Sequence, residues 1–146
     1  MIIRPVRPED KASWLPLWQG YLSFYKVENL PDHVTESLWA RFFDAAEPVH
    51  ALLAEENGEL LGLVHYIFHR NTWMASDVCY LEDLFTAEAA RGKGVGRALI
   101  EAVYERARAA GSTRVYWMTH ETNKTAQALY NNVAEKSGFI QYRKQV

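Results

Sequence analysis

Apolar residues in the first part of the chain recur at the spacing of amphipathic helices. The first predicted helix shows this repeat at Leu15, Trp18, Leu22 and Tyr25. It is preceded by Pro8-Glu9-Asp10, which suits a helix entry because proline is tolerated in a first turn and acidic side chains favour the positive end of the helix dipole. A second helix is predicted to begin at Pro31-Asp32, with an apolar side formed by Leu38, Trp39, Phe42 and Phe43.

Shorter apolar runs, typical of strands, alternate with the helical segments. We predict strands over residues 2–6, 49–55, 60–68, 78–86, 115–119 and 138–142. Asn57-Gly58 is a strong hairpin signal because both residues tolerate positive φ. Pro5 favours an edge position for the first strand, since proline cannot donate to a neighbouring strand.

The second half of the chain adds two further predicted helices. One follows a glycine-rich turn over residues 87–96, ends at Gly111, and has an apolar face formed by Leu99, Ala102, Val103, Ala107 and Ala110. The other runs from Asn123 to about Lys136. Hairpins require antiparallel pairs, and the strand-helix-strand unit after residue 78 favours a parallel one. We therefore expect one α/β (α+β) domain over residues 1–146, with a mixed, mostly antiparallel central sheet and flanking helices.

Composition narrows the functional classes. The chain has 146 residues, a formal net charge of -2 and 49% hydrophobic residues, which predicts a packed core and argues against nucleic-acid binding. No apolar run suits a signal peptide or a membrane span, so we expect a cytoplasmic protein. Cys79 is the single cysteine, and we expect it to be buried and inert.

The glycine-rich turn Arg91-Gly92-Lys93-Gly94-Val95-Gly96 is the clearest chemical signal. The first N–H groups of a helix are unpaired, glycines let the backbone approach a phosphate, and the nearby cations favour an anion. The spacing fits neither a P-loop nor a dinucleotide-binding fingerprint. From these residues alone, a solvated turn before a helix is an equally good interpretation.

The turn and its surroundings resemble the GNAT superfamily of N-acetyltransferases. Arg91-x-x-Gly94-x-Gly96 matches the Arg/Gln-x-x-Gly-x-Gly/Ala signature of that family, and the order of elements agrees along the whole chain. The runs Tyr80-Leu81-Glu82-Asp83-Leu84 and Val115-Tyr116-Trp117 are similar to the branch of histone, polyamine and D-amino-acid acetyltransferases.

This resemblance implies acetyl-CoA as co-substrate and no metal. The strand of residues 84–86 is expected to separate from that of residues 115–118 and to pair with the pantetheine arm, and the turn is expected to hold the pyrophosphate. The implied cofactor-binding residues are Leu84, Phe85, Thr86, Arg91, Gly92, Lys93, Gly94, Val95, Gly96, Arg97 and Asn123.

Acetyl transfer to an amine requires a base, because an alkylammonium has a pKa near 10. Glu82 and Asp83 should point to opposite faces of their strand, and the resemblance selects Glu82 as the base. The leaving thiolate benefits from a proton, and the resemblance assigns that role to Tyr130. The alternatives are a solvated or ion-paired Glu82 and a Tyr130 that only anchors its helix.

Several further residues leave alternatives open. His65 and His69 share a strand face and could form a metal pair, a pocket wall or a solvated surface. Tyr21, Tyr25 or Glu28 could contact an amine by cation–π or charge pairing. We expect a small-molecule amine substrate, with protein lysine or N-terminal acetylation and a non-catalytic acyl-CoA-binding module as alternatives. The aromatic last strand could pair with a second subunit, which favours a homodimer or higher homo-oligomer.

Overall fold

The computed structural model describes residues 1–146 and contains one five-stranded sheet. Its strands are β1 (Ile2–Pro5), β2 (Val49–Glu56), β3 (Glu59–His69), β4 (Val78–Thr86) and β5 (Val115–Tyr116). They lie in chain order across the sheet; the first four are antiparallel, and β5 is parallel to β4. This is the mixed α/β architecture expected from the sequence, with the proline-containing β1 at one edge.

Four helices flank the sheet: α1 (Lys11–Phe24), α2 (Asp32–Arg41), α3 (Val95–Ala109) and α4 (Lys124–Val133). Single turns of 3₁₀ helix at Pro8–Asp10 and Glu88–Ala90 precede α1 and α3. None of these helices is both long and apolar enough to cross a membrane.

The helices cover opposite faces of the sheet and create two buried clusters. On one face, Leu99 and Val103 of α3 pack against alternating strand residues such as Leu52 and Val64. On the other face, the aromatic side chains of α1 and α2 surround Leu53 and Leu63. The odd and even positions of β2 and β3 thus face different cores, as the two-residue period of a strand requires.

The β2–β3 hairpin confirms the prediction from Asn57-Gly58. These residues have φ of 52° and 79°, the left-handed conformation that a tight hairpin turn requires and that few other residue pairs accept. The turn fixes the register of β2 and β3, so that Glu56 lies opposite Glu59.

Two predicted strands differ from the structure. The predicted strand 138–142 is wrong: this segment has no regular structure, and Phe139 and Tyr142 are 86% and 90% exposed. Its residues have high strand propensity, but no neighbouring strand pairs with them. The predicted strand 115–119 is shortened to two residues, because only Val115 and Tyr116 pair with β4.

Candidate active site

A pocket begins where β4 and β5 stop pairing. The two strands pair only at Cys79 with Val115 and at Tyr80 with Tyr116. Beyond that point β4 continues to Thr86, still paired with β3 on its other side. The edge of β4 that faces away from β3 therefore has backbone groups without a strand partner, and such groups can pair with an extended ligand.

A β-bulge at Glu82 changes which side of β4 each residue faces. His65 of β3 pairs with Asp83 and the next residue, Tyr66, pairs with Leu81, so Glu82 has no partner in the ladder. Leu81 therefore faces the α3 side, whereas Asp83 contacts His65 on the α1 side. Without the bulge, residues 81 and 83 would share a face.

The pocket brings together the two residues predicted to act in catalysis. It is lined by Leu81, Glu82 and Leu84 of β4, Tyr21 and Tyr25 of α1, Trp117 and Met118 after β5, and Tyr130 of α4. Trp117 packs edge-on against Tyr130, with ring centroids 5.4 Å apart. The lining combines one carboxylate with aromatic faces, an arrangement that suits a cation.

The surroundings of Glu82 and Tyr130 raise the pKa of both side chains. The pKa of Glu82 is raised because neighbouring side chains desolvate it and because Asp83 adds a like charge. Burial likewise raises the pKa of Tyr130. Glu82 is thus a stronger base than an ordinary carboxylate, and Tyr130 keeps its proton at neutral pH.

The glycine-rich turn leads directly into α3. Gly92 and Gly94 have φ of 77° and 81°, and a Cβ on either would meet no atom within 4 Å. Gly94 precedes the first residue of α3, and no side chain caps the N–H groups of that first turn. Open space beside free N–H groups and a positive dipole end suits a phosphate.

The cations predicted near this turn have different partners. Arg91 folds back towards β4, donating to the carbonyl of Thr86 and lying 5.6 Å from the ring centroid of Phe85. Arg97 pairs with Glu101 one helical turn later. Lys93 has no ion pair with the protein, which leaves it as the cation free to meet an anion at the turn.

The remaining predicted cofactor residues surround the same region. A Cβ on Gly96 would lie 3.9 Å from Oγ1 of Thr86 and 4.0 Å from Leu84, so the start of α3 adjoins the end of β4. The side chain of Val95 is buried in the α3 core and leaves only its backbone available. Asn123 caps α4, accepting from the N–H of Ala126 at 3.3 Å, and keeps its own side-chain N–H groups for another partner.

The other candidate residues have distinct environments. Cys79 is fully buried, as expected, and burial raises the pKa of its thiol to about 12. His69 contacts the hydroxyl of Tyr116 at the surface, whereas His65 is buried beside Asp83. Glu28 does not line the pocket, but Tyr21 and Tyr25 do.

Two features of the site were missed from the sequence. Trp117 and Met118 line the pocket, and the only available signal was an aromatic run after a short predicted strand. His65 and Asp83 form a buried pair with Nδ1 and Oδ2 2.9 Å apart. This pair could not be predicted from the sequence, because no spacing rule brings together residues from different strands.

Known proteins match the chain over nearly its whole length. The model of the Acetyltransferase (GNAT) family matches residues 14–134. The D-amino-acid N-acetyltransferase HPA3 of Saccharomyces cerevisiae is 38% identical over 146 residues, covering 99% of this chain and 90% of the yeast protein. The thialysine N-epsilon-acetyltransferase of Mus musculus is 27% identical, covering 97% of this chain and 90% of the mouse protein.

A similar solved structure is that of AAC(6')-Iy in complex with the bisubstrate analogue CoA-S-monomethyl-acetylneamine. It superimposes with a TM-score of 0.84 at 21% identity, covering 99% of this chain and 98% of the other. At that identity the likeness establishes the shared fold.

Proposed function

Because the chain belongs to the acetyltransferase (GNAT) family, we propose that residues 1–146 form one enzyme domain that transfers acetyl from acetyl-CoA to a primary amine of a small molecule. The observation that carries this proposal is the position of Glu82 and Tyr130 in one pocket, at the point where β4 and β5 separate. A base and an acid placed around one opening suit acyl transfer to an amine.

Acetyl-CoA fits the residues around this opening. The free edge of β4 at residues 84–86 pairs with the pantetheine arm, and the backbone N–H groups from Gly92 to Arg97 bind the pyrophosphate. Lys93, which has no ion pair, adds positive charge there, and the side-chain amide of Asn123 donates to the arm from α4. The support for this placement is the unpaired strand edge, the open glycine turn and the uncapped first turn of α3.

The reaction is a direct transfer. Glu82 removes a proton from the ammonium, directly or through water, and the neutral nitrogen attacks the acetyl carbonyl carbon. The C–N bond forms, the C–S bond breaks, and Tyr130 gives its proton to the leaving sulfur. The attacking nitrogen loses its second proton to solvent, so the products are an N-acetyl amide, CoA and one released proton, and the proton on Glu82 returns to Tyr130 through solvent. The raised pKa values of both residues favour these roles.

A small amine is the preferred acceptor. The pocket is lined by four aromatic side chains around one carboxylate, which suits a small cation, whereas a protein lysine or N-terminus requires an open groove for the flanking peptide. The yeast and mouse relatives are named for a D-amino acid and for thialysine, and both are amines of this size. The rings of Tyr21 and Tyr25 contact each other, with centroids 5.0 Å apart, and line the pocket beside Glu82, where their faces can receive an ammonium.

The test is a thiol-release assay with acetyl-CoA and a panel of D-amino acids, thialysine, polyamines, aminoglycosides and peptide amines. We expect turnover with one of the small-amine classes and its loss in Glu82→Gln and Tyr130→Phe. Turnover with peptides alone would replace the small-molecule proposal with protein acetylation. Acetyl-CoA binding without turnover on any amine would favour a non-catalytic acyl-CoA-binding module.

We also propose that the enzyme is a homodimer. The segment 139–142 contains three exposed apolar side chains, Phe139, Ile140 and Tyr142. Its one side-chain hydrogen bond to the folded body runs from Gln141 to Met118, which lines the pocket. A segment of strand-forming residues without a partner is a ready template for pairing with another chain.

A further inference from the structure

Three buried polar side chains form a hydrogen-bonded chain behind the pocket. Nε1 of Trp14 on α1 lies 3.1 Å from Nε2 of His65 on β3, and Nδ1 of His65 lies 2.9 Å from Oδ2 of Asp83 on β4. The exposed fractions of Trp14, His65 and Asp83 are 0%, 1% and 8%. Because solvent barely reaches them, these groups must satisfy one another.

The direction of these hydrogen bonds fixes the protonation of His65. An indole N–H can only donate, so Nε2 of His65 accepts and carries no proton. The proton of the neutral ring is therefore on Nδ1 and is donated to the Asp83 carboxylate. An imidazolium would direct a second N–H at the N–H of Trp14, leaving both without an acceptor.

The hydrogen-bonded row formed by Trp14, His65 and Asp83 ends next to the bulge that exposes Glu82. His65 and Asp83 are the last paired residues before the register shifts, and Glu82 is the unpaired residue next to them. A one-residue slip of a strand reverses the face of every side chain. The bond between His65 and Asp83 thus joins the two strands at the pair that borders the bulge.

We propose that Trp14 and His65 are positioning residues, which hold Asp83 through a neutral histidine and thereby present the Glu82 carboxylate to the pocket. The kinetic part of this inference rests on the proposed role of Glu82. Trp14 and His65 act only through Asp83 and the bulge.

Few charged groups surround this arrangement. Besides Asp83, the neighbours of His65 are the aromatic rings of Trp14, Trp18 and Phe42. Glu82 is faced by Asp83 and His65 from the sheet. The remaining titratable groups around Glu82 are the phenols of Tyr21, Tyr25, Tyr80, Tyr116 and Tyr130.

The first test is spectroscopic and needs neither activity nor a destabilising variant. Long-range ¹H–¹⁵N correlation spectra of the ¹⁵N-labelled protein report which ring nitrogen carries the proton, and a His65→Gln spectrum assigns the signals. We expect a ring with the proton on Nδ1 and none on Nε2. An Nε2–H tautomer or an imidazolium would overturn the inference.

The second test compares two replacements of His65. The glutamine in His65→Gln has a carbonyl to accept from Trp14 and an amide to donate to Asp83, whereas His65→Leu has neither. We expect His65→Leu to lower kcat on the order of 100-fold, as a misplaced catalytic group does, and His65→Gln to restore most of it. Equal loss in the two variants would refute the positioning role.

The third test removes the indole N–H of Trp14, which donates to His65. Trp14→Phe deletes the indole N–H that fixes the Nδ1–H tautomer of His65, so its pH profile of kcat/KM should differ from that of the wild type. Trp39→Phe removes similar area from a ring 4.9 Å from Trp14 without removing a bond to His65, and should keep the wild-type profile. Identical profiles for the two variants would reduce Trp14 to a packing residue.

These tests separate the two proposals. An active Glu82→Gln enzyme with the expected His65 tautomer would reject the role of Glu82 and leave the hydrogen-bonded chain intact. An inactive Glu82→Gln enzyme in which His65 has the wrong tautomer would reject the positioning role of Trp14 and His65. The proposed function would stand.

Discussion

The same substitution is predicted to have opposite effects at two glycines of the turn. At Gly94, φ is +81° and ψ is 11°, and an alanine there pays the left-handed penalty of about 1–2 kcal/mol. Its reduced freedom in the unfolded chain offsets about 0.4–1 kcal/mol. Gly94→Ala should therefore lower the free energy of unfolding by about 1 kcal/mol.

Gly96 lies inside the first turn of α3, where its backbone is helical. A Cβ there would meet Leu129 at 3.6 Å, Thr86 at 3.9 Å and Leu84 at 4.0 Å, all ordinary contacts. Alanine is favoured over glycine in a helix by about 0.8–1 kcal/mol, and less near its end. Gly96→Ala should raise the free energy of unfolding by about 0.5 kcal/mol.

Urea denaturation of the two variants measures this contrast. With equal m-values, the urea midpoints of the two variants should move in opposite directions. The free energies of unfolding of the two variants should then differ by about 1.5 kcal/mol. Acetyl-CoA titrations by calorimetry report binding separately, since Gly94→Ala also distorts the proposed phosphate site. Destabilisation of equal size at both positions would refute the assignment of Gly94 to left-handed and Gly96 to helical backbone.

Three other expectations concern the site, the core and assembly. Since Glu82 must be ionised to act as base and its pKa is raised, kcat/KM should fall as pH drops through that raised pKa. In Asp83→Asn, the fall should move to lower pH because a like charge is removed; an unmoved limb would contradict the assignment. Leu99→Ala should cost about 2–5 kcal/mol in denaturant because Leu99 is fully buried, and a loss below about 1 kcal/mol would place it outside the core. Light scattering should give twice the mass of one chain for the wild type and the mass of a single chain for a Phe139→Asp/Tyr142→Asp variant. A monomeric wild type would remove the dimer proposal.

Local pattern was sufficient for most of the fold. The apolar repeat of α3 predicted a core face of Leu99, Ala102, Val103, Ala107 and Ala110. Leu99, Val103 and Ala107 are buried and Ala102 is half-buried, whereas Ala110 is exposed just beyond the end of the helix. The turn at Asn57-Gly58 fixed a hairpin because its backbone preference is intrinsic to those two residues. The parallel pairing of β4 with β5 followed from the helix between them.

Features that depend on partners distant in sequence were not predictable. Residues 138–142 have the composition of a strand, but a strand forms only where another strand pairs with it. The bulge at Glu82 depends on which residue of β3 lies opposite, and alternation within β4 gives no sign of it. The pocket itself was expected from resemblance, whereas the contact between Trp14 and His65 joins residues 51 positions apart.

The pairing of the strands also makes the two sides of the pocket unequally resistant to local unfolding. One side is β4, and the other is formed by β5 and α4. The first four strands pair with sequence neighbours over many residues, whereas β5 is joined to β4 by two residues after a long crossover. Local opening should therefore begin at β5 and α4, the wall that supplies Trp117 and Tyr130, and leave Glu82 on the slowly exchanging wall. Amide hydrogen exchange should be faster in residues 115–133 than in residues 60–69, and equal protection would contradict this. Tyr130, the proposed catalytic acid, would then reside on the element best able to move aside when product leaves.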